Sequence, residues 1–541
     1  MKLKNLSFAV LLFLAAAGFA APLKIGWATA DVSTDKPIFL QGLDYRRVSQ
    51  GVRDPVTVTA LAIDNGEDCV IFNSWDTSCV YGNLAKRVRD GVAKKLPGFP
   101  VEKIVFNAIH THTGPALGVD YNDPLSVEYR NMFIEKTVDT IVRAWNERKP
   151  GKIGYGYDFA VTCFSRRTVY FDDLRKRPPV KGKKLSLWKT IPGLYSDKYV
   201  TMHGNADDPM FSHMEAAPDP FVNFLFTYDM NDKLTGMIFN VAFPAHISIS
   251  DLKLGSDCWS DIRREVKKDF GDMYVLAQCA AAGDLTHKIP YYKKATDRKY
   301  RLMFGREEAY KGEFERHRIT EQLMAALHRT LPWASKALYC DLPLRHICTT
   351  LQLPRFYAKP EHIEEAKANR VKLEEMKKNP PWDVNDPVTV KKANGLIGSA
   401  EYRIARVLKL NDSIKKKPNW AMEFHVLRIG EVAFVSERYE LYTDFGQRIQ
   451  ARSPFTQTFT IQLSAGLPDL PTFNGGYLPT AVAVGNAGYQ AHPINNANSP
   501  SPEGGQQMVD EAVRLLYELK KDDEKAPQSA EKSEPHPERT K

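Results

Sequence analysis

His110-Thr111-His112-Thr113-Gly114-Pro115 closes the apolar run Lys103 to Ile109, and two histidines spaced i, i+2 at a strand end project to one side. Imidazole is the commonest neutral nitrogen ligand for zinc, and a Gly-Pro immediately afterwards lets the chain turn away and leave the pair accessible. An isolated HxH reads as readily as surface or hydrogen-bonded loop histidines, so the motif needs partners from elsewhere. Phe243-Pro244-Ala245-His246 ends another apolar run, and an acidic segment surrounds Glu440. Histidines plus a carboxylate with one open position form the usual catalytic zinc arrangement.

The elements that must position these groups read as α/β. Short apolar runs rich in β-branched and aromatic residues (Lys24 to Trp27, Val56 to Ile63, Asp68 to Phe72, Lys103 to Ile109, Phe221 to Tyr228, Gly236 to Ala242, Met273 to Gln278) predict strands. Apolar residues at helical spacing predict helices over Tyr81 to Leu96, Ser126 to Asn146 and Trp259 to Lys268. Charged helices follow over Ile319 to Leu331, Pro360 to Lys378 and Ser399 to Leu408. Strands at 431–436 and Phe459 to Leu463 bracket a helix reaching Arg448, and a last helix covers Gln506 to Lys520. The expected fold is α/β, one large elaborated domain with mixed β-sheets flanked by helices and a metal site at strand ends, without internal repeats.

Met1-Lys2-Leu3-Lys4, the apolar stretch Leu6 to Ala17 and the small residues around Gly18 and Ala20 have the form of a secretory signal, with cleavage expected before Ala21. The expected organisation is therefore a signal peptide over 1–20, a catalytic domain over 21–521 and a disordered polar tail over 522–541, in a protein exported to the periplasm or medium. No later segment approaches the roughly 20 apolar residues needed to span a bilayer. Seven cysteines in 541 residues are too few for a disulfide scaffold, and without a CxxC pair they are poor metal ligands; Cys340 with Cys348, or Cys69 with Cys79, are the candidates to pair. The net charge of +9 gathers at 175–184 and from Lys293 to Arg318. Such clusters attract phosphate or anionic membrane surfaces, but aromatic interleaving of the nucleic-acid-binding kind is not evident, and a solvated basic face is the simpler reading.

Taken in order, His110 to Pro115, Phe243 to His246, Gly283 to His287, Tyr439-Glu440 and Asn474 to Thr480 resemble successive motifs of the neutral, non-lysosomal ceramidase family. The resemblance runs from about Leu23 to about Leu516 with a divergent middle, and several separated motifs in one order are more specific than any alone. It implies a zinc ion held by His110, His246, Glu440 and Tyr477, with Glu437 a near competitor of Glu440. It also implies that His112 and Arg166, within Phe164-Ser165-Arg166-Arg167-Thr168, assist at the reacting centre, where they would relay a proton and stabilise developing negative charge. A divergent member without that family's C-terminal β-sandwich domain is expected, because the sequence ends in a helix near Gln506 to Lys520 and a polar tail.

The chief departure lies at Gly283-Asp284-Leu285-Thr286-His287, where Thr286 stands for the serine regarded as the family's nucleophile and His287 for the following proline. Threonine keeps a hydroxyl, but β-branching restricts χ1 and crowds attack. The mechanism that survives the change uses zinc-activated water, with Thr286 positioning substrate. The leading expectation is an exported zinc hydrolase cleaving an amide in an N-acyl, ceramide-like lipid, touching membranes peripherally and binding no nucleic acid. The alternatives are a zinc hydrolase of another ester or amide, such as a sugar-linked one, and a silent binding protein that retains the fold.

Overall fold

A computed structural model describes residues 22–118, 122–178, 187–305, 312–464 and 476–525. The expected signal peptide, Lys181, Lys183, Lys184, Asn474 and 526–541 lie outside these. The mixed α/β architecture with helix-flanked sheets follows the expectation. It is built, however, from one unit used three times: three antiparallel strands, a helix, a fourth strand parallel to the third, and a second covering helix.

In the first unit, strands Lys24–Asp31, Thr57–Asp64 and Cys69–Trp75 are followed by helix Gly82–Lys95, strand Ile104–Ala108 and helix Pro124–Asn146. The second comprises Lys149–Phe159, Phe221–Asp229, Leu234–Val241, helix Cys258–Phe270, Tyr274–Cys279 and helix Glu313–Ala334. The third comprises Leu344–Pro354, Asn419–Ile429, Val432–Ser436, helix Thr443–Arg452, Gln457–Ile461 and helix Pro502–Lys525. Each parallel pair needs a crossover, and the helix supplies it. The first two units join edge to edge through Lys24 opposite Pro150 and Ile25 opposite Lys149, giving one eight-stranded sheet; the third is a separate four-stranded sheet. The expectation of no internal repeat is thereby corrected. The units share no residue pattern, and insertions of unequal length, 32–56, 160–220 and 355–418, separate their first two strands.

Leu61, Phe72, Leu225, Ile238, Phe434 and Phe459, two from each unit, meet in one buried core. Removing such side chains from water, at about 25 cal/mol per Å² of apolar area, is what presses the sheets together. Buried amides then lock their ends: Asn107 Nδ2 donates to the Ala277 carbonyl (2.9 Å) and Asn240 Nδ2 to that of Thr460 (2.7 Å). Backbone bonds from Ala245 N to Ile109 O (3.2 Å) and Gln462 N to Cys279 O (3.0 Å) close the same end. That end gathers the loops leaving the third and fourth strands of every unit.

Local chemistry fixes the helices that set these loops. Asp123 caps Pro124–Asn146 by accepting from Ser126 N (3.1 Å), with Pro124 in the first turn, where its missing N–H costs nothing. The final helix runs through Lys525, beyond the tail boundary expected at 521, because an amphipathic face packed on the third sheet carries it past the change in composition. No disulfide links any of the seven cysteines, so neither candidate bridge, Cys340 with Cys348 or Cys69 with Cys79, is present. Among the described residues, no helix is long and apolar enough to cross a membrane.

Candidate functional site

The strand before the histidine pair ends at Ala108, and His110 lies beyond it with φ of +68°. Strand alternation is therefore not what unites the two rings, a correction to the sequence reading: a left-handed residue folds the chain back, bringing His112 Nε2 to 3.4 Å from His110 Nε2. His110 Nδ1 lies 2.8 Å from the Ser78 carbonyl. A carbonyl only accepts, so Nδ1 carries a proton. His112 packs against Gly42, where a Cβ would fall 2.4 Å from the imidazole Cγ, and its carbonyl accepts from Arg47 Nη2 (2.6 Å).

The second unit brings His246. Its ring lies between those of His112 and His287, with centroids 5.2 Å away on each side. His246 Nε2 is 3.4 Å from Arg166 Nη2, which donates, so its Nδ1 is the protonated nitrogen facing His287 Nδ1 at 3.2 Å. Beyond His246, Ser248 N donates to Asp257 Oδ2 (2.8 Å) and so fixes the loop to the cap of the next helix. Burial, foremost, holds His112, His246 and His287 well below the ordinary histidine range; the neighbouring His110 lowers His112 further, Arg166 lowers His246 and Lys288 lowers His287. Three neutral imidazoles stand together.

The third unit contributes Glu440 and Tyr477, which face one another in a two-residue parallel pairing of Glu440–Leu441 with Tyr477–Leu478. Glu440 Oε2 is 3.3 Å from His110 Nε2. Glu437 turns away: its Oε2 accepts from Tyr439 N (2.6 Å), and burial holds its carboxyl well above the usual carboxylate range. Burial, then the Glu440 charge, likewise pushes the Tyr477 phenol up. Arg166 Nη1 reaches the Tyr477 hydroxyl at 3.4 Å. Gln490, oriented to satisfy its neighbours, accepts from Arg166 Nη1 (2.7 Å) and from Tyr477 (2.9 Å) and donates to the Gly283 carbonyl (3.2 Å). Arg167 points elsewhere, pairing with Glu215 and donating to the Tyr489 and Ala487 carbonyls.

Thr286 stands apart. Its buried hydroxyl accepts from Lys288 N at 3.4 Å and makes no hydrogen bond to the histidines among the described residues. Asp284, two residues earlier, caps the helix after Glu440 by accepting from Thr443 N (3.0 Å) and Oγ1 (2.5 Å); burial raises its carboxyl to about 6.

Six of the seven expected residues thus converge, drawn from all three units, and Thr286 flanks them. Gln490 and Gly42 carry no sequence signal, because their roles exist only through tertiary contact. His110 Nε2 and Glu440 Oε2 face each other at 3.3 Å, an arrangement that a shared cation, proton or metal, fits. As placed, no three His, Cys, Asp or Glu side chains among the described residues stand in a metal-ligating arrangement.

Comparison with solved structures supplies the context. A neutral ceramidase from Pseudomonas aeruginosa superposes with a TM-score of 0.58 at 16% identity, over 92% of this chain and 75% of that one. The chain has a neutral-ceramidase-like fold. A ceramidase complexed with C2 gives a TM-score of 0.60 at 15% identity, over 95% of this chain and 77% of that one. No protein-family model matches the sequence, nor does any curated protein. At such identities the likeness is one of fold, and the chemistry has to be argued from the residues.

Proposed function

We propose that this protein is an exported, zinc-dependent hydrolase of the ceramidase type that cleaves an amide bond in an N-acyl lipid. The observation that supports it most is the convergence of His110, His112, His246, Glu440, Tyr477 and Arg166 at one end of a neutral-ceramidase-like fold. His110, His246, Glu440 and Tyr477 would hold the ion; zinc, when bound, supplies Lewis acidity to the amide carbonyl and the attacking water.

The chain's own groups divide the remaining work. Arg166 carries a buried positive charge beside His246 and Tyr477, suited to the oxygen on which negative charge develops. His112 is neutral at pH 7 and can take a proton from water and return it to the leaving nitrogen as the C–N bond breaks. Water adds to the carbonyl carbon, and a carboxylic acid and an amine leave. The Thr286 hydroxyl, engaged with Lys288 N, is better placed to orient substrate than to attack it.

The experiment is a turnover panel: N-acyl sphingoid, short acyl amide and ester substrates at equal concentration. Preference for the N-acyl sphingoid supports the proposal, preference for esters moves the bond, and no turnover on any substrate by metal-loaded protein overturns it.

A further inference from the structure

Lys293–Phe304 starts six residues after His287 and is exposed almost all round, with Tyr300 its one buried residue. A twelve-residue helix this lightly anchored gains little from the body of the protein. Beneath it lies a cleft of about 570 Å³ bordered by Lys288, Thr296, Tyr300 and Glu315. At 100° per residue, Leu302 points away from Tyr300, flanked by Arg298, Ala295 and Lys299. Leu302 is 68% exposed, and Tyr292, which opens the helix, is 74% exposed. The helix carries Lys293, Lys294, Arg298, Lys299 and Arg301 against Asp297 alone, and no ion pair among the described residues engages Lys294, Arg298 or Lys299.

A second apolar group lies at the same end of the molecule. Phe221 begins a strand whose neighbour, antiparallel to it, ends at Val241, five residues before His246. Phe221 faces Phe159 in register, their rings 5.2 Å apart, and Phe159 is 53% exposed. Arg318 ties this edge to the site by donating to the carbonyls of Val161 (3.1 Å), Thr162 (3.0 Å) and His287 (3.0 Å).

We propose that the Tyr291–Phe304 segment is a docking element that seats the site-bearing end of the protein on an anionic lipid surface. An apolar ridge flanked by cations is the pattern of a helix lying in the plane of a bilayer: Leu302 and the tyrosines enter the headgroup boundary while Arg298, Lys294 and Lys299 meet lipid phosphates. The charge is complementary to anionic lipid, and the ridge is convex, offering no groove to a peptide. Seating here brings lipid headgroups to the rim nearest His287 and His246. This docking does not depend on which bond the site cleaves.

The test is co-sedimentation of the full mature chain with phosphatidylcholine vesicles, with and without phosphatidylglycerol. Partition should rise with phosphatidylglycerol and fall with salt. Since each cation near an anionic surface changes partition about fivefold, the triple variant Lys294→Gln, Arg298→Gln, Lys299→Gln should bind roughly a hundredfold more weakly. Leu302→Ser should lose roughly tenfold through apolar burial alone. These positions are exposed, so circular dichroism should be unchanged in both variants. Absence of binding to anionic vesicles, binding indifferent to lipid charge, or variants that bind as the parent does would each overturn the proposal. The vesicles contain no amide lipid, so these outcomes are independent of the hydrolase reading.

Discussion

Gly283→Ala tests whether the site depends on the contact between the second and third units. A Cβ at Gly283 would lie 2.3 Å from the Glu440 carbonyl oxygen and 2.8 Å from its carbon, whereas ordinary contact begins near 3.4 Å, so the backbones must part by about 1 Å. They cannot part freely, because Gly283 N donates to the Leu441 carbonyl at 2.7 Å. Overpacking of this kind costs about 1–3 kcal/mol of stability. The strand that moves carries Glu440, whose carboxylate stands 3.3 Å from His110, and misplacing a site group by about 1 Å is worth on the order of a hundredfold in rate. Gly398, within helix Pro387–Lys416 and with nothing near its Cβ position, is the matched control; Gly398→Ala should be neutral or stabilise by roughly 0.5–1 kcal/mol. The assay is thermal unfolding, bound zinc and amide turnover on both variants. Gly283→Ala with the parent's melting temperature, zinc content and rate would refute the reasoning.

Three further predictions concern the scaffold and the ligands. Asp76, fully buried, accepts from Arg263 (2.6 and 2.9 Å) and Thr57 N (2.8 Å), bridging two units, so Arg263→Ala should cost about 3 kcal/mol in a denaturant titration by stranding that charge; a loss within error would show the pair to be dispensable. The Asp284 carboxyl is raised from 3.8 to about 6 by burial, so its ionisation opposes folding: the penalty is full above pH 6 and fades as pH falls toward 3.8. Asp284→Asn, which keeps an acceptor for Thr443, should therefore stabilise by about 3 kcal/mol at pH 8 and by roughly half of that at pH 5, read as a larger rise in melting temperature at the higher pH; an equal gain at both would contradict that sign. His246→Ala should remove bound zinc, whereas Thr286→Ala should retain it, and full zinc occupancy in the His246 variant would sink the ligand set.

Regular elements were legible where the pattern was strong: Pro360–Lys378 lies where its charged helical spacing puts it, and the strands before His110 and His246 end within a residue or two of expectation. Lys149–Phe159 was not, because Gly151, Gly154 and Gly156 lower its strand propensity. Those glycines make room for neighbours: a Cβ at Gly156 would meet Trp333 at 2.6 Å and Thr330 at 2.8 Å. Leu344–Pro354 and Asn419–Ile429 were hidden differently. They bury a polar ladder in which His346 Nε2 meets His425 Nδ1 (2.9 Å), His425 meets Glu423 (2.9 Å) and Glu423 takes Arg89 (2.7 Å), so the core-facing side does not read as apolar. At the site, the motifs supplied the histidines and arginine, and the two-residue pairing of Glu440 with Tyr477 turns Glu440, not Glu437, toward His110. His287 as the partner of His246 follows from a contact within the second unit, between the loops after its third and fourth strands, and Gln490 as the link between Arg166 and Tyr477 from a contact between the second and third units; no spacing rule encodes either.

The most direct measurement is zinc content and N-acyl-sphingosine turnover on one sample of purified protein, before and after chelation and after zinc is restored, with His110→Ala alongside. The account predicts about one zinc per chain, turnover that chelation abolishes and zinc restores, and neither zinc nor turnover in the variant. Undiminished fatty-acid release from zinc-free protein, or full zinc occupancy in His110→Ala, would contradict it.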